Sequence, residues 1–410
     1  MCIRDRNIIA GLDIGSSKIS VVVGNTLHGN AQKIGIIGVG HADSEGLRRG
    51  VVVDINQTAE AIRKAVSSAE LMAGVKIDAV CVGISGEHVV GQTSHGVVSV
   101  ANTEISQDDV DRAMLAAKAI SVPADREILH VIQQNFVVDA QNRIREPIGM
   151  SGARLEAYAY IITGSTTAIQ NLLNSIEKAG VPIVETLVAA PLAATQATIS
   201  RDEREVGIAL VDIGDGTTEI IVYKEDSIQH TAVIPVGGQH VTNDIAQYLK
   251  VTLPEAEELK LNRGCAWTEL VNPEEARSIP VTGDATPPRF IDRIELAQII
   301  EYRMAEILEV IGDELGGIPL PGGLVLTGGT ALMDGLQELA EVMLQLRVQV
   351  GYPCELQGLT DRVNHPMYTA GIGLALYGET LRQQEREHND RHGSNAFGSF
   401  LQRIKEWFGY

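Results

Sequence analysis

Aromatic residues make up only 4% of this 410-residue chain, so its cores must rest on Ile, Val, Leu and Ala. Basic residues are also scarce. The formal net charge is -20, which excludes nucleic acid as a main partner, because neutralising phosphates needs a basic surface. It equally excludes an anionic membrane as a bed for the whole body; lipid contact would need a local segment. The four cysteines, Cys2, Cys81, Cys265 and Cys354, are scattered without a CxxC or a His at metal-ligand spacing. They read as reduced thiols, with no basis for a disulfide or zinc site. No uninterrupted apolar run reaches the ~18 residues that span a bilayer, and no signal peptide is expected. Met1 to Arg6 carry three charges and read as a start-site or assembly artefact outside the fold.

What is present is a chain too long for one core, with strands and helices in alternation. That places it in the α/β class with two domains or more. Ile8 to Val23 reads as two β-branched runs broken by a Gly-Ser-Ser turn, a hairpin, and Ala31 to Gly40 continues the β character. Thr58 to Met72 has helical spacing, and Ala79 to Ile84 is a buried strand. Ser85 to Tyr160 has its own rhythm of strand, helix and strands. There Ser106 is the expected N-cap, with Asp108 and Asp109 at the helix start. Helix Thr167 to Lys178 should end at Gly180, and a second hairpin spans Ile208 to Tyr223. Gly237 to Arg303 is mostly helical with a Pro-rich loop at Asn272 to Arg289. Leu324 to Leu346 reads as strand, Gly turn and helix, and Tyr368 to Arg382 as a last helix. Arg382 to Asn395 holds no apolar residue, so a solvated linker is expected.

Two segments echo each other: Gly11-Leu-Asp13-Ile-Gly15-Ser16-Ser17-Lys18 and Leu210-Val-Asp212-Ile-Gly214-Asp215-Gly216-Thr217-Thr218. Each is an apolar strand ending in Asp, a Gly turn with small hydroxyl residues, and a second strand. Glycine lets backbone approach closely, and successive turn N–H groups make an anion nest. The hydroxyls of Ser16, Ser17, Thr217 and Thr218 and the Lys18 ammonium suit phosphate oxygens. Asp13 and Asp212 suit Mg²⁺, which takes carboxylate and water oxygens. Either segment alone would be an ordinary tight hairpin, since Asp and Gly are common turn residues; the repetition argues for a duplicated fold with facing turns. A third loop, Leu324 to Ala331, runs from a buried strand into Gly328-Gly329-Thr330, where a helix N-terminus would meet phosphate or ribose.

This order of hairpin, hairpin and Gly turn is similar to that of the actin, hexokinase and DnaK-chaperone superfamily. Within it the chain resembles the FtsA family from Asn7 onward, on stretches such as Ala69 to Ala73, Leu129 to Ile132, Gly149 to Gly152, Arg201 to Glu205 and Ala256 to Ala266. The resemblance implies an actin-like ATPase fold of duplicated ribonuclease-H-like domains with an inserted subdomain called 1C. Its subdomains would be 1A at 7–84 and 163–195, 1C at 85–162, 2A at 196–240 and 312–364, and 2B at 241–311. A return helix at 365–381, a disordered linker at 382–395 and an amphipathic membrane helix at 396–410 would follow.

It further implies ATP and Mg²⁺ as cofactors, with Glu257 and Lys260 near the ribose and adenine, although by themselves these two read as a solvated helix face. It implies filaments to which 1C contributes, a 2B subdomain that receives the C-terminal peptide of FtsZ, other division proteins as partners, and a place on the cytoplasmic side of the inner membrane at the septum. Arg289, Arg293 and Arg303 are the candidate carboxylate receptors in 2B, against the alternative of solvated surface arginines. Three departures matter. Asp215 stands where glycine is usual, Glu219 where Asp is common, and Ala189-Ala190-Pro191 lacks the acid linked to positioning attacking water. A slow ATPase at most is expected.

Phe397, Phe400, Leu401, Ile404, Trp407 and Phe408 fall on one helical face, with Arg403 and Lys405 beside it. Three of the five Phe residues gather here beyond a polar stretch, which fits an interfacial helix better than a core element; docking in a protein groove is the alternative. Two other functions remain open. A small-molecule kinase would need an acid placed to deprotonate a substrate hydroxyl, and no such motif stands out. A pilus-assembly relative of the same plan would be a binding module.

Overall fold

The structure, a computed structural model, describes residues 8–26, 34–272, 279–281, 289–354 and 356–392, with backbone alone at 279, 280, 289, 385 and 387–392. Two sheets carry the same plan. In the first, strands run in the order Ile183–Ala189, Ala79–Ile84, Ile8–Ile14, Lys18–Thr26, Ile34–Asp43 and Gln357–Gly358. In the second the order is Val348–Val350, Leu324–Thr327, Ile208–Ile213, Thr218–Lys224 and Ser227–Ile234. Each is thus an antiparallel three-strand meander extended on one side by two parallel strands, and in the first sheet Gln357–Gly358 adds a short parallel strand at the other edge. Both sheets are covered on two faces, so their strands are near-continuous apolar runs: Leu12, Val21, Val22, Leu210, Val211, Ile220 and Ile221 are all fully buried.

Helix Ile55–Ala73 packs on the first sheet. Asp54 accepts the N–H groups of Asn56 and Gln57 at its start, and Gly74 closes it in a left-handed turn. Helix Arg293–Leu315 covers the second sheet's domain with the same punctuation, Asp292 at its start and a left-handed Gly316 at its end. Helix Thr166–Ala179 ends at Gly180 with φ of 92°, the C-cap expected from the sequence.

Between the strands Ala79–Ile84 and Ile183–Ala189 an extra unit is inserted. Its four-stranded sheet runs Val90–Ser99, Arg154–Ser165, Arg126–Val138, Gln141–Ile144, backed by helix Gln107–Lys118. Ser106 caps that helix in a reciprocal capping box with Asp109. The unit has its own core of Phe136, Ile105, Leu155, Ile161 and Met114.

Three expectations change. The Asn272 to Arg289 loop contains a two-stranded ladder, Ile279–Val281 against Arg289–Ile291, while 273–278 and 282–288 lie outside the described residues. The Gly turn at 328 opens a single 3-10 turn, Gly329–Leu332, and the α-helix proper starts only at Leu336. Finally, the last helix does not stop near 381: it runs from Thr369 to His392, so residues 382–392 are helix and not a disordered linker. A stretch without apolar residues cannot bury a face, but Gln, Glu and Arg are good helix formers. Arg382 also fixes the exit, donating to the Ile8 carbonyl oxygen at 2.7 Å and pairing with Glu185. The amphipathic segment 396–410 lies outside the described residues.

Candidate functional site

The two echoing turns face each other. In the first, the Gly15 N–H donates to the Lys18 carbonyl oxygen at 3.1 Å; in the second, the Gly214 N–H donates to that of Thr217 at 2.9 Å. A Cβ on Gly216 would stand 2.6 Å from Ser16 Oγ, so only glycine lets the hairpins come this close. The third loop folds onto the second hairpin. Thr330 Oγ1 donates to the Gly214 carbonyl oxygen at 3.2 Å, and Gly328, at φ of 87°, leaves no room for a Cβ beside the Asp212 carboxylate.

Between these loops lies a cleft of about 520 Å³, in the size range of small-molecule sites. Asp13, Gly15, Ser16, Ser17, Lys18, Asp212, Gly214, Gly216, Thr217, Glu257, Lys260, Gly328, Gly329 and Thr330 all line it. Thr218 does not: its side chain is fully buried and donates to the Val236 carbonyl oxygen at 2.7 Å, because alternation along the strand turns it away from the turn. Glu257 and Lys260 are not a solvated face. Lys260 is 8% exposed, and its Nζ reaches Glu257 at 2.7 Å, Thr242 Oγ1 at 2.8 Å and the Gly238 carbonyl oxygen at 3.2 Å.

Charge in the cleft is poorly compensated. Burial pushes the Asp13 carboxyl up to about 6, although Lys18 and Ser20 oppose it. Asp212 rises to about 7 by burial and by repulsion from Asp13. Glu219, opposite Asp212 in the hairpin register, rises to about 8 by burial and repulsion from Asp212. Asp215 is raised as well, by burial, with Lys260 opposing. On the positive side, Lys18 Nζ is buried without a hydrogen-bond acceptor and sits 4.2 Å from the Tyr368 ring centre. Burial lowers its pKa.

This donor set fits a Mg-nucleotide. The Lys18 ammonium is buried without a hydrogen-bond acceptor and would suit a phosphate oxygen, while the Asp13 and Asp212 carboxyls would suit a cation. Among the described residues no three His, Cys, Asp or Glu converge as a metal cage.

The carboxyls make a prediction for the ligand-free protein. A carboxyl whose folded pKa lies above its unfolded value holds its proton longer in the native state. Its contribution is complete below about 4 and is lost as pH rises through about 6 for Asp13, 7 for Asp212 and 8 for Glu219. The melting temperature of Asp212→Asn should therefore fall less than that of the parent between pH 5 and pH 8.5 (about the window of those values). Parallel pH profiles would show that Asp212 does not titrate at a raised pKa in the folded protein.

Ala190, where the sequence departs from the superfamily pattern, lines the cleft, and so do Ser85 and His365, which were not singled out in the sequence. Ser85 follows the strand Ala79–Ile84 and donates its hydroxyl to Glu219 across the cleft; a buried strand stopping beside the one that carries Asp13 was the available signal. His365 arrives only through the tertiary path of the chain. The candidate partner arginines fare differently. Arg303 closes on both carboxylate oxygens of Asp244 and on Glu306, which makes it a brace between helices and corrects its reading as an open receptor. Arg293 donates to the Arg263 carbonyl oxygen at 3.3 Å and keeps a loose 3.9 Å approach to Asp334. Arg289 is placed on the strand Arg289–Ile291. No described helix is long and apolar enough to cross a membrane.

Two sheets of one plan closing on paired Asp-Gly hairpins define an actin-like ATPase fold with a small inserted domain. Solved chains agree on that fold. The PilM–PilN type IV pilus biogenesis complex gives a TM-score of 0.66 at 17% identity, covering 90% of this chain and 98% of that one. MreB5 of Spiroplasma citri bound to ADP gives 0.56 at 15%, covering 95% and 99%. Sequence narrows the class. The family model for cell division protein FtsA matches residues 209–373, and that for the SHS2 domain inserted in FtsA matches 86–163. Cell division protein FtsA of Pseudomonas aeruginosa is 39% identical over 99% of this chain and 98% of its own length. FtsA of Escherichia coli K12 is 34% identical over 98% of each. The chain belongs to the FtsA family of cell division proteins.

Proposed function

We propose that this chain binds ATP with Mg²⁺ in its cleft, polymerises on the inner face of the cytoplasmic membrane, and there tethers the FtsZ ring at the division septum and recruits later division proteins. The observation that carries the reading is the cleft floor: Lys18, an ammonium without a hydrogen-bond acceptor, and two buried carboxyls, Asp13 and Asp212, that repel each other. Mg²⁺, when bound, neutralises phosphate charge. Asp13 and Asp212 would hold it, Lys18 and the turns at Gly15 and Gly214 would hold the phosphates, and Glu257 with Lys260 would orient the ribose and base. Ala190 lines the cleft where the superfamily pattern carries an acid, so turnover is slow at most. The MreB chains solved with ADP and AMPPNP share the fold and support a nucleotide as the ligand.

Arg289 and Arg293 are assigned to the carboxylates of the FtsZ C-terminal peptide. A pilus-assembly role is disfavoured, because the relatives at 34–40% identity over nearly the whole chain are division proteins. Residues 396–410, with Phe397, Phe400, Leu401, Ile404, Trp407 and Phe408 on one face, form the lipid contact. One such helix binds weakly, and linkage of many copies in a filament raises avidity by roughly 10²-fold or more. The full chain with Mg-ATP should therefore co-sediment with vesicles containing anionic phospholipid. A chain lacking 396–410 should stay in the supernatant while still binding nucleotide. Equal pelleting of the two would remove the membrane helix from the account.

A further inference from the structure

His130 belongs to the inserted unit, yet it reaches the wall of the cleft. It is 1% exposed, and its Nε2 accepts the Ala189 backbone N–H at 3.0 Å, so the ring carries its proton on Nδ1. Ala189 ends the strand Ile183–Ala189 and precedes the helix Ala190–Thr198. It lies in register with Ile84, beside Ser85, on a strand that Ala79–Ile84 separates from the one that carries Asp13. The turn that His130 holds is thus the part of the wall at the carboxyl end of the cleft, where a terminal phosphate with its cation would sit. The edge of the His130 ring also meets Tyr377 of the last helix, 6.1 Å between centres.

The same strand grips the other domain. Its pairing with Arg154–Ser165 slips between Gln133 and Asn135, and the residue bulged out is Gln134. A bulge frees backbone and re-aims a side chain. Gln134 Nε2 donates to the Ile228 carbonyl oxygen, and its own carbonyl oxygen accepts from Ser227 Oγ at 3.2 Å. Tyr160, on the neighbouring strand of the insert, shares a 3.0 Å hydrogen bond with Thr231. Strand Arg126–Val138 therefore holds the cleft wall of one domain through His130 and the meander edge of the other, Ser227–Ile234, through Gln134.

We infer that His130 is a positioning residue for the nucleotide cleft, setting the Ala189-Ala190-Pro191 turn against the terminal phosphate and tying that turn to the inserted unit. The inference rests on the nucleotide reading above. A strap fixed to both domains must respond when the cleft closes, and coupling between two sites is reciprocal, so a partner seated on the insert would shift nucleotide affinity.

The test compares His130→Gln, whose amide oxygen reaches the Ala189 N–H, with His130→Asn, one methylene shorter. Mg-ATP and Mg-ADP affinities are measured for the full chain. The expected result is a loss of about tenfold for Mg-ATP with Asn (one charge-free hydrogen bond's worth), recovery with Gln, and little change for Mg-ADP in either. Unchanged Mg-ATP affinity in Asn, or equal loss for both nucleotides in both variants, would overturn the inference. Hydrogen exchange on the parent protein needs no variant: Mg-ATP should slow exchange across 126–138 more than Mg-ADP does, and no difference there would overturn it too. Failure of the parent to bind Mg-ATP at all would instead sink the nucleotide reading.

Discussion

Replacing Lys18 with alanine is expected to weaken Mg-ATP binding by roughly 10- to 100-fold without loosening the fold. The estimate is that of a hydrogen bond to a charged partner, about 1.5–3 kcal/mol, at 1.4 kcal/mol per tenfold. What makes Lys18 distinctive is that its ammonium is buried without an acceptor. Its carbon stem comes from the second strand of the first hairpin, and the Tyr368 ring holds the charge at 4.2 Å. A cation–π contact of this kind offsets about 0.5–2 kcal/mol, which falls short of replacing the water lost on burial. In ligand-free protein the substitution should therefore leave the melting temperature equal or higher. Titration calorimetry with Mg-ATP, alongside thermal melts, reads both quantities. Parent-like affinity in Lys18→Ala would mean the ammonium serves the fold and not a phosphate.

The second large effect lies in the last helix. Gly373 packs so tightly against helix Ala190–Thr198 that an added Cβ would fall far inside contact with the Ala193 carbonyl oxygen and carbon. Neither is a flexible side-chain end, so backbone must shift. Two turns of the same packing repeat the pattern: a Cβ on Gly11 would strike the Gly371 carbonyl oxygen, and one on Gly378 would strike Cys81 Sγ and Ile9. Thr369 extends the seat, sharing a 2.8 Å hydrogen bond with Thr327 at the end of a strand of the other domain. Gly373→Ala should destabilise by about 1–3 kcal/mol or more, the range for overpacking a filled core. At about 2–4 °C per kcal/mol for domains of 150–250 residues, the melting temperature should drop measurably. An unchanged melting temperature would show that the helix is not seated against Ala193.

How much of this could be read from the residues follows from the range of each signal. The hairpins at 8–26 and 208–224 were legible because strand, Asp and Gly turn are local, and their repetition exposed the duplication. Ser106 and Gly180 were legible as caps, since a cap acts within one turn of helix. Lys260 misled when taken alone: a Lys on a polar helix reads as solvated, and only the approach of Thr242 and Gly238 from another helix buries it. Arg303 misled in the opposite sense, because Asp244, its partner, is 59 residues away in the chain. His130 lies in one of the stretches that carry the family resemblance, yet its acceptor role was not legible, since it exists only where the insert folds back on Ala189. The helical run beyond residue 381 was missed because the absence of apolar residues reports on burial and not on backbone conformation.

The central claim is that the facing Asp-Gly turns hold a Mg-nucleotide, and calorimetric titration of the purified full chain with ATP, with Mg²⁺ and then with excess EDTA, tests it most directly. The account predicts saturable binding of one ATP per chain that is lost when the cation is removed; no binding of ATP or ADP in the presence of Mg²⁺ would contradict it.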